Sequence, residues 1–385
     1  MKMVGLFAGI GGFEHGFARA GHETLLTCEC WEPAVAVLQA RLGGVPNHAD
    51  VRTLRDLPAD TELLCGGFPC QDLSQAGATR GIDGARSGLV GEVFRLLDRR
   101  PVPWVVLENV SFMLHLDRGR AMDRLVTAFE ERGYRWAYRV VNSLAFVPQR
   151  RERVFFVASK AGDPEDVLLG EDVTPPSSPT RLDTHAHGFY WTEGTRGLGW
   201  APDAVPTLKN GSSVGIPAPP AILMPDGQVI KPDIRDAERL QGFGENWTQP
   251  AETVSRRNWR WSLLGNAVTV PVAEWLGRRL AEPPGYDRGR DRMFLPGGRW
   301  PRAARFDGEH RAEVSIGAYP VWHARRPLRA FLRHPGEPLS VRATAGFLSR
   351  ARASSLALIT DEFLGRIEDH LSRMRGSAAV PVAAE

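Results

Sequence analysis

From the first residue to about 160, short apolar runs alternate with stretches of helical spacing. That is the pattern of a parallel α/β sheet. Met3 to Phe7 reads as a first strand. Phe13, Phe17 and Ala20 then recur at helical spacing, and Gly21 ends that helix. Leu25 to Cys28 reads as a second strand and Val35 to Leu42 as a helix. Leu63 to Gly66 reads as a strand running into Gly67-Phe68-Pro69-Cys70-Gln71, and Trp104 to Leu107 as another, ending at Glu108-Asn109-Val110. A helix over about Arg120 to Arg132 stops at Gly133, and Val154 to Ala158 closes the series as a strand.

The pattern then changes. From 161 to 232 prolines and glycines punctuate the chain and helical periodicity is lost, which predicts an irregular, loop-rich second domain. Helices resume around Asp236 to Leu240 and Val270 to Leu280. The segment 283–305 carries Arg288, Arg290, Arg292, Arg299, Arg302 and Arg305, with Phe294 and Trp300 among them. It reads equally as a solvated linker and as a surface for a nucleic-acid strand. A last amphipathic helix runs from an N-cap at Thr360 through Phe363, Leu364, Ile367 and Leu371. The expected divisions are therefore 1–160, 161–232, 233–282 and 283–385.

Composition narrows the classes without choosing among them. The 385 residues are 43% hydrophobic and 24% charged, an ordinary globular balance. A net charge of +3 permits nucleic-acid binding but does not demand it. The four cysteines, Cys28, Cys30, Cys65 and Cys70, read as reduced thiols; their C-x-C and C-x4-C spacings differ from the usual C-x2-C pairs, and no metal is expected. No apolar run approaches a membrane span, and the start reads as a buried strand rather than a signal peptide. The expected location is the cytoplasm.

The candidate chemistry lies at strand ends. In Phe7-Ala8-Gly9-Ile10-Gly11-Gly12-Phe13 the glycines let the backbone turn sharply and approach a ligand closely. A dinucleotide fingerprint would need glycine where Glu14 stands, so a nucleoside cofactor without a pyrophosphate fits better. Glu29, after the second strand, could accept both ribose hydroxyls, and Asp50 could accept from an adenine amino group; either could also be a solvated carboxylate. Cys70, after a strand and a proline, stands where such sheets place ligands; it reads as a nucleophile or as a buried structural thiol. Glu108 would lie beside the Cys70 loop if their two strands are neighbours. In Gln149-Arg150-Arg151-Glu152-Arg153 the guanidinium groups suit a phosphate or a base carbonyl, or form a solvated charge run.

The ordered set F-A-G-I-G-G-F, G-F-P-C-Q, E-N-V, Q-R-R-E-R, R-L-Q-G-F and G-N-A-V resembles the DNA cytosine-C5 methyltransferase family over residues 3 to about 280. The resemblance implies a Rossmann-like S-adenosylmethionine-dependent methyltransferase sheet with helices on both faces, plus a smaller irregular target-recognition domain at 161–232. It implies that Cys70 is the nucleophile and Glu108 the catalytic acid, with Arg151 and Arg153 near the target base. It places S-adenosyl-L-methionine against Phe7, Gly9, Ile10, Gly11 and Gly12, with Glu29, Cys30, Asp50, Val51, Pro69 and Leu89, and with Asn266, Ala267 and Val268 returning to the pocket. The sequence departs from the family at Gly5, where an aspartate is usual, and Cys30-Trp31-Glu32 leaves open which side chain covers the adenine.

The resemblance further implies attack of Cys70 on C6 of a cytosine flipped out of the duplex, followed by methylation at C5. The implied partner is double-stranded DNA, with defence-system proteins as further candidates, for a monomer. The candidates for reading the DNA are Arg181, Arg196, Lys209 and Lys231, with Tyr190, Trp191 and Trp200; the tryptophans read better as local core. The runner-up is a transfer-RNA cytosine-C5 methyltransferase. A non-catalytic DNA-binding module and a nicotinamide-dependent oxidoreductase are the readings from other classes.

Overall fold

In the computed structural model, which describes residues 1–68, 88–195, 197–209, 219–256, 258–295, 297, 299–357 and 359–378, the apolar runs of the first third become strands. The chain divides into two compact units. Met1–Ala145, Glu152–Pro175 and Ala267–Trp322 form the first, and Phe146–Arg151, Pro176–Asn266 and His323–Glu385 the second.

In chain order the first unit opens with β1 (Lys2–Leu6), α1 (Gly12–Arg19), β2 (Glu23–Cys28), α2 (Glu32–Arg41), β3 (Asn47–His48) and β4 (Leu63–Gly66). It continues with α3 (Leu89–Arg99), β5 (Trp104–Val110), α4 (Arg120–Glu130) and β6 (Arg135–Asn142). After the short β7 (Gln149–Arg150), which belongs to the second unit, comes β8 (Glu152–Ser159). β1 is parallel to both β2 and β4, and β4 is parallel to β5, with Leu6 opposite Cys28 and Gly66, and Gly66 opposite Leu107. These four strands therefore end at one edge, where open α/β sheets bind ligands.

The sheet is not parallel throughout, as the alternating pattern suggested. β8 lies between β5 and β6 and runs antiparallel to both. Its residues are buried on both faces, and such a run looks alike in either direction.

Alternation along the strands gives the sheet its two covered faces. On one, Val4, Leu6, Leu64, Val105, Leu107, Val154 and Phe156 share a core with α3 and α4. On the other, Phe155 meets Phe13 of α1 edge to face, with ring centroids 6.4 Å apart. There α1 lies against α7 (Val270–Ala281). A Cβ at Gly16 would stand 2.5 Å from Ala273 Cβ, so only glycine allows this approach.

The second unit has short strands: β9 (His187–Phe189), β10 (Ala201–Pro202), β11 (Val205–Pro206), β12 (Ala221–Leu223) and β13 (Val229–Lys231). Helices α5 (Ile234–Leu240) and α6 (Trp259–Asn266) follow. Its five-stranded sheet runs β10-β9-β12-β13-β17, where β17 is Glu337–Pro338 from near the end of the chain. Helices α8 (Val341–Arg352) and α9 (Asp361–Ala378) supply Phe347, Phe363 and Ile367 to a core with Phe189, Leu223 and Val229. The expected cap of α9 is present: Phe363 N donates to Thr360 Oγ1 at 3.2 Å.

The arginine-rich segment is not a linker. It builds β14 (Asp291–Met293) and β15 (Ala303–Phe306), which with β16 (Arg311–Val314) extend the first unit's sheet in the order β14-β16-β15-β6. Trp300 packs at 6.4 Å from Trp136 and donates from Nε1 to Gly119 O. Arg305 is 4% exposed and is held by Asp291 and Asp307, at 2.6 Å and 3.0 Å. Arg288 pairs with Glu165, Arg290 donates to Leu169 O, and Arg302 meets Glu152.

Trp300 anchors this extension, so Trp300→Ala is expected to destabilise the fold by about 3 kcal/mol or more. Met293, 81% exposed, is the control: Met293→Ser should change stability by less than about 0.5 kcal/mol. Equal denaturant midpoints for the two variants would refute this account.

Candidate active site

β5 ends in Glu108-Asn109-Val110, and its pairing with β8 sets Val110 opposite Arg153 and Glu108 opposite Phe155. Residues 108, 153 and 155 share one face, so the two charged side chains meet diagonally. Arg153 Nε lies 2.9 Å from Glu108 Oε1, with the side chains only 14% and 9% exposed. Little water screens such a pair, and each charge holds the other in place. A Cβ on Gly67 would come within 3.2 Å of Glu108 Oε2, so the backbone after β4 passes close to this carboxylate.

Asn109 points the other way and ties the two strand ends together. Its Nδ2 donates to Phe68 O at 3.0 Å, and its Oδ1 accepts from Val110 N at 2.8 Å. The last described residue before Pro69 and Cys70 is thereby fixed beside Glu108. Pro69 and Cys70 themselves lie outside the described residues. Sequence reasoning passed over Asn109, although an amide at a strand end is the usual means of satisfying a neighbouring loop carbonyl.

The glycine loop leaves β1 through Phe7, whose φ of 54° is left-handed and costly for an aromatic residue. Gly9 and Gly11 follow at 56° and 83°. The loop is held by Glu29. Gly9 N donates to Glu29 Oε2 at 2.8 Å, while Cys30 N and Trp31 N donate to Oε1 at 2.9 Å and 2.8 Å. Ile10 is buried and Cys30 exposed. A Cβ on Gly12 would stand 2.7 Å from Val268 O, so Val268 and its neighbour Ala267 do return to this loop. Asn266, by contrast, is part of the second unit.

The edge is acidic. Asp50 is gripped by Arg52, which holds its carboxyl below the usual range through a hydrogen bond, and Val51 is buried. Cys28 is pushed up to about 12, by burial first and by Glu29 and Asp50 after it. Glu14 is 1% exposed, and burial, helped by Glu29, raises its carboxyl to about 7. Leu89, at the start of α3, packs with Phe7 against the core below.

Arg151, expected near a target base, has its guanidinium on backbone carbonyls of the second unit. It falls in the break between β7 and β8, is 1% exposed, and donates to Leu208 O and Gly265 O, both at 3.1 Å. Gln149 donates to Gln241 Oε1 at 3.1 Å, and Gln241 to Leu264 O at 2.7 Å. Residues of Q-R-R-E-R and R-L-Q-G-F, with the helix that leads into G-N-A-V, thus form one buried network in the second unit. Among the candidate readers of DNA, Arg181 pairs with Asp183, Lys231 with Glu337, and Lys209 sits 3.7 Å from the Tyr190 ring centroid. Trp191 and Trp200 pack on the local core. Arg196 lies outside the described residues.

Residues 1–191 match the family described as C-5 cytosine-specific DNA methylase. Type II methyltransferase M2.BsuMI of Bacillus subtilis (strain 168) is 44% identical over 382 residues, covering 96% of this chain and 97% of its own length. The chain belongs to the C-5 cytosine-specific DNA methylase family. It is a DNA (cytosine-5-)-methyltransferase. Type II methyltransferase M1.ScrFI of Lactococcus lactis subsp. cremoris is 28% identical over 309 residues, 73% of this chain and 78% of that one. The crystal structure of S. pombe Dnmt2 methyltransferase superimposes with a TM-score of 0.54 at 17% identity, covering 74% of this chain and all of that one, which shows a shared fold.

Two outcomes are expected of this methyltransferase. Asn109→Ala leaves the Phe68 carbonyl unpaired and should cost about 1–3 kcal/mol, with a lower kcat; a variant matching the unaltered enzyme in both would refute the clamp. Glu14 makes stability depend on pH. Its folded value lies above the ordinary 4.5, so its contribution is full below that value and is lost as pH rises through about 7. The melting temperature of the ligand-free enzyme should therefore fall relative to Glu14→Gln between about pH 5 and about pH 8. A constant difference across that range would contradict the burial of an ionisable carboxyl.

Proposed function

We propose that this methyltransferase acts on cytosine within a specific duplex DNA sequence, through a covalent bond from Cys70 to C6 of a flipped-out base. The observation that carries the reading is the Glu108–Arg153 pair, set where the chain runs on to Pro69 and Cys70. The Type II relative supports a bacterial restriction–modification or phage-defence setting, in the cytoplasm.

Cytosine C5 is a poor nucleophile. Addition of the Cys70 thiolate to C6 converts the ring to an enamine with electron density at C5. Negative charge gathers toward N3 and O2 as the carbon–sulfur bond forms. Glu108, taking up a proton as the base binds, donates to N3, and its other oxygen accepts from the N4 amino group. Arg153, already fixed against Glu108, donates to O2. A stacked base cannot reach these groups, so flipping costs a few kcal/mol that contacts with DNA must offset.

The loop fits S-adenosylmethionine. Phe7 and the left-handed glycines form a cradle open to a close ligand, Glu29 keeps about one lone pair beyond its three amide bonds, and the acidic edge suits a sulfonium cation. Bound there, the cofactor supplies an activated methyl group to C5. Loss of the C5 proton to a base then lets Cys70 leave and the ring regains its aromaticity. Residues 161–232 are assigned to target recognition, with β9 to β13 as their frame.

Labelled methyl transfer to duplex DNA and to transfer RNA, measured in parallel with base-resolution mapping of 5-methylcytosine, tests the reading. Label on DNA at one recurrent motif is expected; label on RNA alone would overturn it. Cys70→Ala should abolish transfer, and Glu108→Gln should lower kcat by roughly a hundredfold while DNA binding persists. Full turnover by either variant would remove that residue from the mechanism.

A further inference from the structure

Gly5 stands in β1 where the family usually carries an aspartate, and the space beside it is not empty. A Cβ built on Gly5 would fall 1.8 Å from Glu14 Oε1 and 2.9 Å from Glu14 Cδ. The position that a side chain of residue 5 would fill is thus taken by a carboxyl group delivered from the first turn of α1. Glu14 Oε2 lies 3.9 Å from the corresponding point on Gly11 of the glycine loop. Glu14 is 1% exposed, and Oε2 has no hydrogen-bond partner among the described residues. A buried carboxylate oxygen without a donor is costly to keep.

The groups facing Glu14 do not relieve it. Glu29 approaches from the end of β2 and opposes its ionisation, and Cys65 on β4 is a buried thiol whose own ionisation Glu14 opposes. Only the residue's own backbone amide favours the charged form. A cation is what this oxygen lacks, and it lies beside the glycine loop that Glu29 holds.

We propose that Glu14 receives the charged amino group at the methionine end of S-adenosylmethionine, the helix supplying the acid that the strand lacks. The proposal rests on the reading of Phe7 to Gly12 as the cofactor loop. It gives the departure at Gly5 a physical reason: residues 5 and 14 compete for one site, and an aspartate at 5 would collide with the carboxyl already there. It also makes cofactor binding sensitive to pH. With its carboxyl raised to about 7, Glu14 is partly protonated in the free enzyme near neutrality, and an arriving ammonium group displaces that proton.

Binding of S-adenosylhomocysteine and of 5′-methylthioadenosine to the full-length enzyme without DNA, followed by titration calorimetry, tests this. The second ligand keeps the nucleoside and the thioether but has no amino-acid end. Glu14→Gln should weaken S-adenosylhomocysteine roughly tenfold or more and leave 5′-methylthioadenosine within about twofold. Equal losses for both ligands, or no loss for either, would overturn the role. The unaltered enzyme provides a test that needs no variant. Its affinity for S-adenosylhomocysteine should fall between about pH 8 and about pH 6 while that for 5′-methylthioadenosine stays level; parallel profiles would overturn the proposal. An enzyme that bound neither ligand would overturn the cofactor-loop reading itself, and the proposal with it.

Discussion

β5 is held on one side by parallel β4 and on the other by antiparallel β8, and the chemistry hangs on those two registers. The first brings the chain after Gly66 alongside Glu108. The second sets Arg153 one diagonal step from the same carboxylate. A slip of one residue in either pairing would turn a whole set of side chains to the opposite face. The register is protected because both faces are covered: Val105 and Leu107 are locked among the residues of α3 and α4, and the opposite face lies beneath α1. Packing far from the reacting atoms thus decides whether an acid and a guanidinium meet.

The glycine loop depends on a different balance. Its left-handed turns, including the one at Phe7, cost conformational energy that Glu29 offsets with three amide hydrogen bonds. One carboxylate therefore shapes the loop and keeps acceptor capacity for a ligand. The close approach of Gly12 to Val268 adds a second support, from a segment more than half the chain away.

Much of this was legible in the sequence because it is local. The strand ends, the glycine turns, the acidic residues after β2 and β5, and the cap of α9 are all written in short windows. What escaped depends on distant partners. β6 reads poorly as a strand because Arg135 and Arg139 interrupt its apolar residues. Arg139 is nevertheless fully buried, since Gly317 O, Glu171 O and Asp172 receive its guanidinium. Arg151 and Arg153 are two letters apart in one motif, yet a break between strands sends one to backbone carbonyls and the other to Glu108. The segment 283–305 looks like a linker when its arginines are counted without their acids: Asp291, with Asp307 just beyond, neutralises Arg305 and draws it into the fold.

Segments of the two units alternate along the chain, and this bears on how the protein can be made. β6 waits for β15, and β13 for β17, each pairing spanning a long stretch of sequence. While the chain is still leaving the ribosome, β6 presents an unpaired edge and the core around Phe189 lacks the helices that bury it. Such a topology folds slowly and late, with exposed strand edges in the interim. The first unit cannot close before β15 has been made, nor the second before α9, so both stay open through most of the synthesis of these residues.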